Sequence, residues 1–217
     1  GFSFTCGVRT NSTGFADDVT LVTSTNKDHQ TLYDRVDVFC KWSLLELNLL
    51  KSEVTAYHFG LQQELPTHGL RLAGGRPTHL PSQNAFKYLG IRGSITGSYE
   101  EEKAHVRNRT KEQVEALRDS AVSLDPAIVD EIVRVAIIPI FRYSCPLVPW
   151  TATELGEISR LWDSAYRVAW KVGRSFPAAP FRFPKEQGGM QIPDPWAVLA
   201  RECHSLITQL LEVNDSL

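Results

Sequence analysis

The sequence predicts an α+β fold in two parts, an antiparallel hairpin plus a helix followed by an all-helical part. Short apolar segments alternate with residues rich in Gly, Pro, Ser and Thr over residues 1–95, whereas apolar residues recur at helical spacing over residues 96–217. Of the 217 residues, 42% are hydrophobic, which is enough for one good core or two small ones. We therefore place a domain boundary near residue 96.

The composition excludes several classes of protein. With 23 Lys and Arg against 25 Asp and Glu, the net charge of -2 excludes a generally basic nucleic-acid coat protein and an acidic disordered tail. Four widely spaced cysteines without a CxxC motif argue against a disulfide framework or a zinc ribbon. The longest apolar run, residues 135–141, is too short to span a membrane, and no signal peptide is visible. We expect an intracellular protein that is not secreted. Because the only Met is Met190, we also expect a piece of a longer chain.

The first part begins with two apolar segments, residues 2–9 and 15–22, and their separation by residues 10–14 predicts an antiparallel pair. Thr25 is suited to cap a helix whose apolar residues recur at i, i+4 and i+7 from Leu32, which predicts an amphipathic helix. Three shorter segments predict further strands: residues 54–59, 70–72 and 88–91.

The second part predicts four helices. The first covers residues 100–122, and the second begins at Asp125-Pro126, where Asp caps the helix and Pro occupies its first position. We expect Pro139 to kink or end that second helix. The third opens at Thr151 with capping-box spacing to Glu154, and the fourth starts at Asp194-Pro195 after a loop over residues 173–195.

Two adjacent acids, Asp17 and Asp18, lie inside the strand-like apolar segment of residues 14–22. Acids that are buried or half-buried need compensation, and a bound cation is one source of it. Magnesium prefers oxygen ligands and commonly takes one or two carboxylates together with substrate phosphates. The alternative is that the two aspartates simply form a turn, where Asp is common.

Several motifs follow one another along the chain. Phe15-Ala16-Asp17-Asp18 lies between apolar segments, a helix ends near Trp42, residues 47–53 read Leu-Asn-Leu-Leu-Lys-Ser-Glu, and Tyr88-Leu89-Gly90 follows. Further along, Arg142-Tyr143 precedes Trp150, and residues 186–194 read Glu-Gln-Gly-Gly-Met-Gln-Ile-Pro-Asp. This ordered set resembles the reverse transcriptase of non-LTR (LINE-type) retrotransposons, and the likeness covers nearly the whole chain.

The resemblance implies part of a right-hand polymerase, with residues 1–95 as the C-terminal part of the palm and residues 96–217 as a helical thumb and its continuation. It implies an RNA-directed DNA polymerase that uses two Mg²⁺ ions. The implied partners are an RNA template, a DNA primer, deoxynucleoside triphosphates and the upstream rest of the polymerase chain. No membrane is implied.

The resemblance also implies roles for single residues. Asp17 matches the metal-binding acid and Asp18 the supporting one, while Phe15 stands near the primer end, where many relatives have Tyr. Lys51 matches a lysine that supplies charge or a proton to the leaving pyrophosphate, although a solvated lysine after a helix is the plain alternative. Tyr88, Leu89 and Gly90 match the hairpin that grips the primer; the alternative is an ordinary strand with a Gly bend.

The sequence departs from the family pattern in two respects. Leu44 and Leu49 stand where many relatives have Gly and Pro, so the turn after the helix is expected to differ. The chain also has no acid before Asp17, whereas a two-metal site needs a further carboxylate from another strand. We therefore expect these 217 residues alone to show no polymerase activity.

Basic residues form stripes on two of the predicted helices. Of the segments 1–70, 71–120 and 121–217, only residues 71–120 carry a net positive charge, with 9 basic and 6 acidic side chains. On the first helix, Lys103, Arg107, Lys111 and Arg118 share one face, and on the third Arg160, Arg167, Lys171 and Arg174 do so. Such stripes suit the phosphates of a template–primer duplex, or they are the solvated faces of amphipathic helices.

Two other functions stay open. The chain could be a catalytically inactive retroelement remnant that only binds nucleic acid or serves as a scaffold, as the missing acid and the near-neutral charge suggest. A group II intron-type reverse transcriptase shares the Ala-Asp-Asp hairpin, but residues 47–53 and 188–194 argue against it.

Overall fold

The computed structural model describes residues 2–3, 9–121 and 124–215. The chain divides into two compact units, Gly1–Glu101 and Glu102–Leu217. Among the residues just named, the first unit contains short strands and one long helix, whereas the second contains only helices and turns. This mixture agrees with the predicted α+β class, and the boundary expected near residue 96 lies a few residues before the division between the units.

The strands of the first unit form five separate two-stranded ladders. In chain order the strands are β1 (Phe2–Ser3), β2 (Arg9–Thr10), β3 (Ser12–Phe15), β4 (Asp18–Leu21), β5 (Glu53–Val54), β6 (Tyr57–His58), β7 (Gln63–Glu64), β8 (Thr78–His79), β9 (Phe86–Tyr88) and β10 (Ile91–Gly93). Strands β5 and β8 pair in parallel, and the other four ladders are antiparallel hairpins.

The first predicted strand pair is placed differently in the structure. Strand β4 pairs with β3, and the two-residue connection between them is Ala16-Asp17 rather than residues 10–14. Strand β1 pairs instead with β2, and residues 4–8 of the predicted first strand lie outside the described residues. The apolar pattern indicated the strand after the acids correctly, but it put the turn one segment too early.

Helix α1 (Asn26–Ser43) begins where the sequence predicts, because the Thr25 side chain accepts a hydrogen bond of 3.1 Å from the Asp28 N–H. The helix ends at Leu44, which adopts the left-handed conformation at φ 59° and ψ 29°. Glycine is the residue that normally ends a helix in this way. Leu44 thus occupies a backbone conformation that glycine adopts without strain.

The first unit has a small apolar core. It contains Tyr33 from α1, Val54 from β5, and Leu70 and Leu72 from the connection after β7. The predicted strands at residues 54–59 and 70–72 are both wrong in extent. The first is divided between β5 and β6, and Leu72 makes only an isolated bridge to Gly75.

The second unit consists of six helices: α2 (Glu100–Ala121), α3 (Pro126–Ile132), α4 (Ile138–Ser144), α5 (Ala152–Ala169), α6 (Ala179–Arg182) and α7 (Pro195–Asp215). The predicted capping box opens α5, since Thr151 and Glu154 exchange side-chain and backbone hydrogen bonds. Val122, the predicted last residue of α2, lies outside the described residues.

Pro139 does not end its helix. A π-helical turn, Val133–Ile137, joins α3 to α4, and the Ile138 N–H donates to the Val133 carbonyl five residues back. A wider turn of this kind absorbs the lost hydrogen bond and the bulk of a proline ring. The expected break is therefore a local widening, and helical backbone continues to Ser144.

A large apolar core joins the helices of the second unit. Phe141, Leu155, Ile158 and Trp162 are fully buried, and Phe181 joins them from the segment that the sequence predicted as a loop. Trp150 also packs against this core, whereas Trp170 and Trp196 are about half exposed.

Two glycines shape the segment before α7. Gly188 adopts φ 77°, and a Cβ on Gly189 would lie 2.1 Å from the Phe183 carbonyl oxygen, so only glycine fits there. The close approach lets the Ile192 N–H donate to the Phe181 carbonyl at 2.8 Å, which places Ile192 in the core. The Gly-Gly motif thus has a packing function.

No helix in the described ranges is long and apolar enough to cross a bilayer. The cysteines of the described part, Cys40, Cys145 and Cys203, are all free. The thiol pattern is therefore the one expected from their wide spacing in the sequence.

Candidate catalytic hairpin and nucleic-acid interface

The hairpin β3–β4 carries both candidate metal ligands at its tip. Phe15 pairs with Asp18 across the ladder, so Ala16 and Asp17 are the two central residues of the turn. Ala16 has φ 54°, and a positive φ at this first central position is the requirement of a type II′ turn. Asp17 is therefore held at the end of the hairpin, and Asp18 begins the returning strand.

Both carboxylates are exposed, which corrects the expectation that they are buried or half-buried. Phe15 beside them is 66% exposed, and Val19 is exposed as well. An aspartate pair in water needs no cation for compensation, so its burial cannot be the argument for a metal. The argument that survives is donor chemistry, since carboxylate oxygens on a rigid turn suit Mg²⁺.

Within the described ranges, no three or more His, Cys, Asp or Glu side chains converge on a common point. Asp17 and Asp18 therefore offer two carboxylates, and no other His, Cys, Asp or Glu of the described residues completes a metal site with them. Mg²⁺ commonly binds through one or two carboxylates and takes its remaining ligands from water and phosphate. The two residues fit that kind of site.

The hairpin β9–β10 lies against the hairpin that carries the acids. The Tyr88 hydroxyl donates to Thr13 Oγ1 at 3.2 Å, which joins segments 75 residues apart in the chain. Leu89 and Gly90 form the two-residue turn, with φ 47° and φ 85°. Positive φ at both positions is the type I′ pattern, so the predicted strand at residues 88–91 is in fact a strand end followed by a turn.

Lys51 is exposed in a short 3₁₀ turn, Leu49–Lys51. The Asn48 side chain caps this turn by accepting from the Lys51 N–H, and Leu49 packs against the small core of the first unit. Leu49 therefore anchors the turn. The ammonium of Lys51 extends into solvent, as either of its two interpretations allows.

The stripe predicted on α2 does not form one open face. Lys103 is 6% exposed, and its ammonium pairs with Glu154 Oε1 of α5 at 3.1 Å. Burial alone would raise the pKa of Glu154, but hydrogen bonds from Thr151 and from the Lys103 ammonium outweigh it and lower that pKa. Lys103 is therefore a structural partner within the second unit, and we withdraw it as a phosphate contact.

The remaining basic residues of α2 are more open. Arg107 is half-buried and pairs with Glu157 at 3.2 Å, while Lys111 and Arg118 are exposed. Arg107 and Lys111 line a cleft of about 360 Å³ together with Arg160 of α5. The two predicted stripes thus meet in one basic cleft between α2 and α5.

The stripe predicted on α5 fails beyond Arg160. The helix ends at Ala169, so Lys171 and Arg174 lie past its last turn and do not share its face. Arg167 turns inward, donates to the Gly173 and Phe176 carbonyls, and stacks 5.3 Å from the centre of the Phe181 ring. Arg167 therefore fixes the following segment rather than facing solvent.

Comparison with protein-family models, with curated proteins and with solved structures finds no match to this chain.

Two features of the site were missed from the sequence. The Tyr88–Thr13 hydrogen bond depends on how two hairpins meet, and no local pattern signals it. The α2–α5 cleft depends on helix packing, although the opposite charges of Lys103 and Glu154 were a signal that the two helices pair. A helical-wheel argument treats each helix alone and therefore overestimates its open basic face.

Proposed function

We propose that this chain is the palm and thumb portion of an RNA-directed DNA polymerase of the non-LTR retrotransposon type. The observation that carries the proposal is the joining of two motif hairpins: the Asp17-Asp18 turn and the Tyr88-Leu89-Gly90 turn belong to hairpins linked by the Tyr88–Thr13 hydrogen bond. A catalytic turn and a primer-holding turn must be adjacent for a primer end to reach the metals. An intracellular setting follows from this proposal.

In the proposed reaction Asp17 and Asp18 hold Mg²⁺ through their carboxylate oxygens, with a further carboxylate from an upstream strand. Mg²⁺ held by these carboxylates would supply the Lewis acidity that activates a primer hydroxyl and neutralises triphosphate charge. Phe15, exposed beside Asp18, offers an apolar surface to the primer end. The Lys51 ammonium is available to the leaving pyrophosphate.

Within the first unit, the hairpin β9–β10 is assigned to the primer. Within the second unit, the basic cleft is assigned to duplex phosphates. Arg107, Lys111 and Arg160 supply the cleft's positive charge, and Glu157 offsets part of it. Arg118 extends the exposed basic surface along α2. Contacts to phosphates hold a duplex in place without reading its sequence, as a polymerase requires.

A manganese titration tests the metal ligands in the 217-residue chain itself. Mn²⁺, a paramagnetic substitute for Mg²⁺, should broaden the amide NMR signals of residues 15–19 at millimolar concentration, and excess Mg²⁺ should reverse the broadening. Asp17→Asn should abolish the effect, while Asp28→Asn in α1 should not. Broadening that ignores Asp17→Asn would reject the assignment.

The second candidate is an inactive remnant that only binds nucleic acid, or only folds. The partial neutralisation of the basic surface by Glu157 and Glu154 favours it. Binding to an RNA–DNA hybrid across a salt series separates these cases, because phosphate contacts weaken steeply as salt rises. Arg160→Gln should weaken salt-sensitive binding, with Arg201→Gln on α7 as the matched control. No binding even at low salt leaves only the scaffold.

A further inference from the structure

A second pocket lies in the first unit, apart from the residues assigned to polymerase chemistry. It has a volume of about 560 Å³, within the range of small-molecule sites. Its walls are partly apolar, from Leu65, Pro66, Leu70 and Pro77. Its polar lining comes from Glu64, Thr67, His68, Arg76 and His79.

Three of the polar residues form a hydrogen-bonded relay. Glu64 Oε1 lies 2.6 Å from His79 Nε2, and His79 Nδ1 lies 2.8 Å from Thr67 Oγ1. Thr67 itself is buried, so its hydroxyl has little access to bulk water. The relay thus connects a carboxylate to a hydroxyl on the pocket wall.

Both carboxylate oxygens of Glu64 have hydrogen-bond partners. Glu64 also accepts hydrogen bonds of 3.0 Å from both the N–H and the hydroxyl of Ser82. The backbone N–H of Ser82 is the largest cause of a lowered pKa for Glu64, and His79 and the Ser82 hydroxyl act in the same direction. Glu64 therefore stays ionised and matched by donors, which limits its repulsion of a bound anion.

The two other charged or titratable side chains of the pocket have no such partners. In the described part of the chain, the side chains of Arg76 and His68 take part in no ion pair or hydrogen bond. A guanidinium presents a fork of donors that matches phosphate oxygens. The pocket thus combines an unused anion-binding group with apolar walls.

We propose that this pocket binds a small phosphate monoester, with its phosphate on Arg76 and Thr67 and its organic body against the apolar wall. The Thr67 hydroxyl donates to the phosphate when Nδ1–H of His79 donates a hydrogen bond to Thr67 Oγ1.

Phenyl phosphate is the probe, titrated into the 217-residue chain at pH 8.0, where it is a dianion, and followed by NMR at the pocket amides. Binding should be saturable and tighter than that of inorganic phosphate. Arg76→Gln should weaken it about tenfold, as expected for a lost charged hydrogen bond, while the nearby exposed Arg71→Gln should not.

Thr67→Val removes the hydroxyl at nearly constant volume and tests the second contact to the phosphate. We expect it to weaken binding about fivefold, as for one lost hydrogen bond, with Thr78→Val on β8 as its control. Unchanged binding in Thr67→Val would overturn the assignment of the phosphate to the Thr67 hydroxyl. Absent binding in the folded wild type, binding indifferent to Arg76→Gln, or equal affinity for inorganic phosphate would overturn the pocket assignment. None of these results bears on the metal ligands.

Discussion

Trp162 and Trp42 show how differently the two units are built. Trp162 is 0% exposed, and its ring lies 5.8 Å from that of Phe141 in a core shared by the helices of the second unit. Trp42 is 80% exposed at the end of α1, beside an exposed Phe39. Among the described residues, the second unit has a much larger buried apolar core than the first, although both units also expose large apolar side chains.

Several exposed apolar residues of the first unit lie close to the candidate site. Phe15 and Val19 are on the hairpin β3–β4, and Val38, Phe39 and Trp42 are on α1. Large exposed apolar surface commonly marks an interface. Under the proposed function, the upstream part of a polymerase palm would cover this surface. The two units therefore differ most in how much apolar surface they bury in a core of their own.

The largest expected effect comes from the two tryptophans. Trp162→Ala should cost about 3–5 kcal/mol of stability, because it removes a fully buried aromatic side chain. Trp42→Ala, the matched control, should change stability by less than about 0.5 kcal/mol. Denaturant unfolding, followed by amide exchange in α5, measures the cost of Trp162→Ala. Amide exchange in α1 measures the cost of Trp42→Ala. Equal costs would contradict the contrast between the units.

Gly189→Ala should destabilise the second unit by about 3 kcal/mol, since the added Cβ would meet the Phe183 carbonyl oxygen. Gly188→Ala should cost only about 1 kcal/mol. The added Cβ has no atom within 4 Å, so the cost comes only from the left-handed backbone conformation. Chemical denaturation of both variants gives the two values. The reverse ranking would show that backbone conformation, rather than close packing, explains the motif.

Lys103→Met should cost about 2 kcal/mol at neutral pH through the lost charged hydrogen bond to Glu154. The lowered pKa of Glu154 means that its contribution is complete above about pH 4.5 and is lost as the pH falls through the folded-state pKa. Lys103→Met should therefore flatten the fall in stability between pH 5 and pH 3. Urea midpoints across that range measure it; an unchanged acid profile would contradict the pairing.

The smallest expected effect is a gain in the first unit. Leu44→Gly should stabilise α1 by about 1 kcal/mol, because Leu44 is 90% exposed and packs on little while its backbone is left-handed. Ser43→Gly, one residue earlier within the helix, should instead destabilise it. Amide exchange in α1 compares the two. A loss of stability in Leu44→Gly would show that the exposed side chain makes a contact worth more than the strain.

Much of the helical part could be predicted from the sequence, because its signals are local. Thr25, Asp125 and Thr151 all cap helices as expected, and Asp194 does so for α7 through a 2.8 Å hydrogen bond from the Trp196 N–H. The short strands were harder. Two-residue ladders such as β5–β8 depend on partners 25 residues away and leave no alternating pattern.

The sequence indicated candidate residues for the site, but not the contacts that these residues make in the fold. Asp17 and Gly90 occupy hairpin turns, and Asp18 and Tyr88 are the strand residues next to those turns. The burial of Lys103 and the inward turn of Arg167 were not predicted, because each depends on a partner from another segment. Residue type and spacing indicate which side chains can do chemistry, whereas packing decides which of them remain available.

RNA-templated extension of a DNA primer tests the central claim most directly. The assay uses the longer polypeptide that the resemblance implies, in which this segment follows the fingers and the upstream palm strand, with Mg²⁺ and deoxynucleoside triphosphates. We predict extension by the wild type and by Asp28→Ala, but none by Asp17→Ala. Full extension by Asp17→Ala would contradict the assignment of the β3–β4 turn as a catalytic metal site.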